Sequence, residues 1–256
     1  MSVTLSDAPN WLDLPGFLAR KGVEMSEIMQ AMSEENVDFL GGSLVRGHGT
    51  EESDLDGIVV LKGTDEPAVR NIIVKGVRID IEYLTLEELT FALNRLKSYD
   101  PEDPDSSGAS LGMNLKRPLR RLIDMMGRIA EGMPSPTTSH GQLPQLIQES
   151  NFGFVASSVY WMDAENRYED ALGFLKAGDL MACHLSVVDC TAYAILALLN
   201  RHGVYCDRVK WVFHYADRLP QELRPDFKRL ILPPQLDRRH LTWALRQNDK
   251  LLNAAK

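Results

Sequence analysis

Cysteine is scarce: among 256 residues there are only Cys183, Cys190 and Cys206. An odd number at no zinc-like spacing argues against a disulfide framework or a zinc knuckle. Cys183 and Cys190 lie seven apart in a predicted helix, too far to bridge, so all three are expected as reduced thiols in a cytoplasmic setting. Long apolar runs are lacking too. No stretch approaches the ~20 consecutive apolar residues of a membrane span. The opening "MSVTLSDAPNWLDLPGF" has no basic region leading into an apolar one, so no secretory signal and no membrane partner are expected. Positive charge is short in the first part of the chain. Residues 1–111 carry 9 Lys+Arg against 21 Asp+Glu, whereas residues 112–256 carry 19 against 15. A chain of net charge −8 lacks the basic face that wraps polymeric nucleic acid. Such acidity suits metal ions or a cationic small molecule.

What the chain does have divides into two patterns. Residues 23–36 place Met25, Ile28, Met29 and Met32 on one helical face. "VDFL" (37–40) and "DGIVVL" (56–61) follow as strands, the second apolar enough to be buried on both sides. "VRNIIV" and "VRIDIEYL" read as a hairpin turning at Lys75-Gly76, with Ile79 and Ile81 alternating against Arg78, Asp80 and Glu82. Residues 85–98 read as a helix whose Thr85 and Glu88 form a capping box. "YDPEDPDSSGASLG" (99–112) then breaks all periodicity. Beyond it the segments near 115–132, 143–176, 179–203, 207–220 and 237–256 all read as helices. The expectation is an α+β protein: a small mixed-sheet domain over 1–112 and an α-helical bundle over 113–256.

The chemistry concentrates in "GGSLVRGHGTEESDLDGIVVL" (41–61). Gly41 and Gly42 permit a tight bend before a short helix, and backbone N–H groups freed there, with the Ser43 hydroxyl, can cradle phosphate. Asp54 and Asp56 are two apart on extended chain, so they project from one face. Two carboxylates that close do not both ionise cheaply without a cation between them, and Mg²⁺ prefers such hard oxygens together with phosphate. Asp80 and Glu82 repeat the arrangement on the hairpin and offer a third carboxylate, as metal ligand or as proton acceptor. His48, a lone histidine in a glycine-rich loop, is expected to be exposed.

Gly42-Ser43, ten residues, then Asp54-x-Asp56 entering an apolar strand resembles the signature of the nucleotidyltransferase superfamily that includes DNA polymerase β. With the hairpin and the helix after it, the resemblance spans most of 23–98. A sheet domain followed by a helical bundle further resembles the aminoglycoside nucleotidyltransferases, of the streptomycin/spectinomycin adenylyltransferase and kanamycin nucleotidyltransferase types. The resemblance implies ATP as donor, Mg²⁺ held by Asp54, Asp56 and Asp80, and Asp80 or Glu82 as base. It also implies Gly42, Ser43 and Arg46 around the phosphates. "DRVKWVFHYADRLPQELRP" is similar to the family helix that carries a phosphate-binding lysine, here Arg208 or Lys210. If Asp207 caps that helix, both cations fall in its first turn, where a nearby anion would rationalise them. Asp163 and Glu165, beside Tyr160, Trp161 and Tyr168, suit a cationic sugar; Asp189 could bind a substrate amine or satisfy a neighbouring side chain. The expected partners are a nucleoside triphosphate and a small hydroxyl acceptor, with the protein monomeric or a homodimer. AMP transfer to a partner protein, or an inactive nucleotide-binding module, are the alternative readings.

Overall fold

A computed structural model describes residues 10–63, 70–100, 118–231, 233 and 235–255. Two compact units emerge: Met1–Leu93 with Met125–Ile147, and Asn94–Asp124 with Gln148–Lys256. The expected boundary at 112/113 lies outside the described residues. The first unit takes back Met125–Ile147 from the part of the chain expected to be wholly helical.

The first unit begins with α1 (Leu14–Lys21), a short helix without a long apolar period to announce it. Asp13 caps it by accepting from the Gly16 N–H at 2.8 Å, and Gly22, at φ +66°, ends it. α2 (Met25–Glu34) buries Ile28 and Met32, the face its periodicity marks. The strands β1 (Phe39–Gly41), β2 (Leu55–Leu61), β3 (Arg70–Val74), β4 (Val77–Thr85) and β5 (Met133–Pro134) form one sheet in the order β3-β4-β2-β1-β5. β2 and β4 run parallel; the other pairs are antiparallel. Between β3 and β4, Lys75 and Gly76 both take positive φ, 47° and 86°, as a tight twisted hairpin requires. The side chains of Leu55, Val59, Val77, Ile79 and Ile81 enter a core with Phe17, Leu18, Ile28 and Met32. Strand alternation therefore turns Asp56, Asp80 and Glu82 to the opposite face of the sheet.

β5 corrects the all-helical expectation for the later chain. The buried Asp38 explains how this segment is recruited. Its Oδ2 accepts from the Val60 N–H at 2.7 Å and its Oδ1 from the Thr138 hydroxyl at 2.5 Å, while its carbonyl accepts from the Ser135 N–H. One side chain thus fastens the returning segment to the sheet. α3 (Leu86–Ser98) starts where its capping box places it: the Glu88 N–H donates to Thr85 Oγ1 and the Thr85 N–H to Glu88 Oε2.

α4 (Leu119–Ala130) crosses the division between the units, its residues to Asp124 counting with the second and the rest with the first. α5 is Leu143–Gln148. In the second unit α6 (Phe152–Ala177), α7 (Leu180–Arg201) and α10 (Arg238–Ala255) pack on one another, with the short α8 (Val212–Tyr215) and α9 (Phe227–Ile231) between α7 and α10. Asn248 ties α10 to α7, accepting from Thr191 Oγ1 at 2.7 Å and donating to the Val187 carbonyl at 3.0 Å. By length and composition α7 could cross a membrane, with mean hydropathy 1.7 over its most apolar stretch, although His184 and Asp189 interrupt any unbroken apolar run; 61% of that stretch is buried inside the structure. Residues 207–220 are not the single helix expected. They fold as a 3-10 turn (Val209–Trp211), α8, and a second 3-10 turn (Ala216–Arg218). "VKWVFHY" is rich in β-branched and aromatic side chains of modest helix propensity, so packing rather than propensity sets its path.

Candidate active site

In the first unit the strand register does most of the positioning. Asp56 on β2 pairs directly with Asp80 on β4, and Ile58 with Glu82. Asp54 stands one residue before β2, level with Arg78. On this face of β4, Arg78, Asp80 and Glu82 follow at every second residue, so the sheet gathers all four candidate carboxylates on one side.

Each carboxylate of the β2 segment is linked to one of β4 through a guanidinium. Arg78 Nη2 donates to Asp54 Oδ2 at 3.0 Å and to Asp80 Oδ2 at 2.7 Å. Arg128 Nη1, from α4, reaches Glu82 Oε1 at 2.8 Å and Asp56 Oδ1 at 3.5 Å. The two arginines differ sharply in setting. Arg78's side chain is 54% exposed and Arg128's only 4%. The hydrogen bonds to Asp54 and Asp80 raise the Arg78 pKa further still, so its charge is permanent.

The glycine loop leans on this cluster. Gly42, at φ +90°, lies so close to Asp56 that a Cβ would fall 2.1 Å from Oδ2. After it the chain makes turns rather than the expected helix. The Arg46 N–H donates to the Gly42 carbonyl and the Gly47 N–H to the Leu44 carbonyl, before Gly47, at φ +80°, ends the turn. Four residues between two positive-φ glycines leave room for about one turn, so there is no helix N-terminus at this point. Ser43 Oγ donates to Ser53 Oγ at 3.4 Å, beside a cavity of about 240 Å³ lined by Ser53, Asp54 and Arg78. Arg46 is held inside the unit by Glu131 at 2.9 Å. His48 is buried at 3% exposure, its Nδ1 3.0 Å from the Arg46 carbonyl, contrary to the expected exposed position: the turn folds the ring inward.

Among the described residues no three His, Cys, Asp or Glu side chains converge closely enough to hold a metal ion. Asp54, Asp56 and Asp80 do share a face, but the arginines hold them as separate pairs. The donor set still fits a hard divalent cation: oxygen-only carboxylates from adjacent strands, and no side chain at Gly42 to crowd Asp56.

The remaining candidates belong to the second unit. Asp163 accepts from Arg120 Nη1 at 2.6 Å, whereas Glu165 and Asp189 are exposed on α6 and α7. Arg120 lies over the Tyr160 ring at 4.0 Å and also binds Asp124, which accepts from the Tyr160 hydroxyl at 3.0 Å. Burial raises the Asp124 pKa, partly offset by Arg120 and reinforced by Asp207; burial and Asp124 push the Tyr160 phenol well above 10. Arg208 is exposed, with Nε 3.5 Å from Asp207, and Lys210 lies over the Trp211 ring at 4.9 Å. Neither is in the first turn of an α-helix: Arg208 precedes the 3-10 turn that holds Lys210, and α8 begins only at Val212. The three cysteines are buried and none is in a disulfide; the Cys206 thiol donates to the Arg208 carbonyl at 3.5 Å, and burial pushes Cys190 up to about 12.

No protein-family model and no curated protein sequence matches the chain. Eight solved chains do. Among them, the crystal structure of a nucleotidyltransferase-like protein from Exiguobacterium sibiricum aligns over 90% of this chain and 74% of its own length, with TM-score 0.51 and 13% identity. The likeness is one of fold, and it agrees with an α+β fold of the nucleotidyltransferase kind.

Proposed function

We propose that the chain is a Mg²⁺-dependent nucleotidyltransferase that moves AMP from ATP to a hydroxyl of a small, amino-sugar-like acceptor. The observation that carries this reading is the register pairing of Asp56 with Asp80, one strand step from Asp54 and Glu82, beside a glycine that leaves the carboxylate uncrowded. Asp54, Asp56 and Asp80 would hold the cation. When bound, Mg²⁺ would supply Lewis-acid chemistry, offsetting negative charge on the phosphates.

The chain's own residues then have separable tasks. The Gly42–Gly47 turn and the Ser43 hydroxyl orient phosphate oxygens by hydrogen bonding. The acceptor oxygen attacks the α-phosphorus, the bond from that phosphorus to the pyrophosphate oxygen breaks, and the acceptor's proton passes to Asp80 or Glu82. Arg128 keeps Glu82 and Asp56 at fixed positions while this happens, so the acceleration comes from placement and preset charge. The acceptor class is supported by the sequence resemblance.

Incubation with labelled ATP, Mg²⁺ and a panel of aminoglycosides tests the proposal. Label on a drug with release of pyrophosphate is expected, and the paired variant Asp54→Asn/Asp56→Asn should lose at least ~100-fold in rate. Undiminished turnover in that variant overturns the assignment of the carboxylates. Label on protein alone overturns the small-molecule acceptor.

A further inference from the structure

Arg78 and Arg128 are both placed between carboxylates, yet only one of them is built to stay. Arg128 comes from a helix, is almost wholly buried, and spans Asp56 and Glu82. Arg78 hangs from the same strand as Asp80, is more than half exposed, and clasps Asp54 and Asp80 from the solvent side. Those two carboxylates belong to the set that would hold a divalent cation, and they are the ones Arg78 occupies.

We infer that Arg78 is a resident counter-ion that must release Asp54 and Asp80 before a cation can be held there, and that the triphosphate is the anion to which it transfers. The inference rests on reading the carboxylate face as the cation–nucleotide site. With Arg78 released, the face becomes a stronger cation site, and a planar guanidinium with two free N–H edges stands where phosphate oxygens arrive. Surface ion pairs of this kind are weak and exchange readily, so release needs no refolding. Arg128 has no such freedom.

The consequence is a pair of effects with opposite sign. In the Arg78→Gln variant, Mn²⁺ alone should bind about fivefold tighter, the effect of removing one competing charge near a carboxylate in water. The complex of Mn²⁺ with a non-hydrolysable ATP analogue should bind about fivefold weaker, because the phosphates lose their guanidinium. Arg78→Lys, which keeps the charge, should stay near the original protein in the first measurement. Titration calorimetry on the full chain reads both, with Asp54→Asn/Asp56→Asn as reference. Should Arg78→Gln bind Mn²⁺ no tighter while the aspartate variant abolishes binding, the counter-ion role fails and the site stands. Should Mn²⁺ bind equally to the aspartate variant, or to none of the proteins, the cation-site reading itself fails and takes the inference with it. Tighter Mn²⁺ together with tighter analogue complex would keep the competition and remove the transfer to phosphate.

Discussion

Gly42 and Asp56 touch so closely that the sheet has no room for any side chain at residue 42: a Cβ there would stand 2.1 Å from Asp56 Oδ2. Gly42 also holds φ +90°, a region that L-residues enter only at a cost of about 1–2 kcal/mol. Gly42→Ala should therefore destabilise the fold by about that amount and turn the Asp56 carboxylate away from its place. Urea unfolding would show the first effect. Weakened Mn²⁺ binding, with the variant still folded, would show the second. A variant equal to the original in both would mean that Asp56 moves freely and that the contact positions nothing.

Arg128 and Arg78 also separate by stability. Removing the buried member takes from Asp56 and Glu82 the guanidinium they share, a loss of about 3 kcal/mol, at the low end for such pairs because both carboxylates keep some contact with water. Arg128→Met should lower the denaturant midpoint accordingly. Arg78→Met, at a solvent-exposed pair, should leave it nearly unchanged.

The contrast between these two arginines also marks what the sequence makes legible. Arg78 alternates with Ile79 and Ile81 beside Asp80 and Glu82, so its place on the acidic face follows from a period of two. Arg128 is 72 residues from Asp56, on a helix whose pattern says only that it is amphipathic; nothing local tells which strand it will meet. The same limit hides β5. Two residues carry no strand period, and their pairing with β1 depends on Asp38, which reads as an ordinary acid before an apolar run. The hairpin and the capping box of α3 were legible because their geometry is set by adjacent residues. The helix expected over 207–220 fails for the converse reason: an amphipathic spacing is present, but short-range propensity is too weak to hold one helix against tertiary packing.

Asp38 itself should be sensitive. Replacing it with Ala leaves the Val60 N–H without its buried acceptor and releases Thr138, a cost of about 1–3 kcal/mol. Amide hydrogen exchange should accelerate at Val60 and through 135–138 more than in α1 or α2. Uniform acceleration would instead mean that Asp38 supports the whole unit and does not act as a local fastener.

Asp124 sets a pH dependence of unusual sign. Most ion-paired carboxylates bind protons less tightly when folded, so they stabilise a protein as pH rises. Burial works the other way on Asp124, lifting its pKa above the ordinary 3.8, with Arg120, Tyr160 and Arg208 only partly offsetting burial and Asp207 adding to it. The folded state then holds this proton more tightly than the unfolded chain. Its contribution is greatest below pH 3.8 and is lost as pH rises through the raised value. Tyr160 stays neutral throughout, so its hydroxyl remains a donor to Asp124 across that range. In Asp124→Asn the side-chain oxygen can still accept from Tyr160 and Arg120, but no proton is exchanged. The variant should therefore gain stability over the original chain as pH climbs from about 4 toward 7, and the difference should vanish at the acid end. Parallel urea titrations of the two proteins at several pH values measure that difference directly. A gap that widens toward low pH would show that ion pairing with Arg120, and not burial, governs this carboxylate.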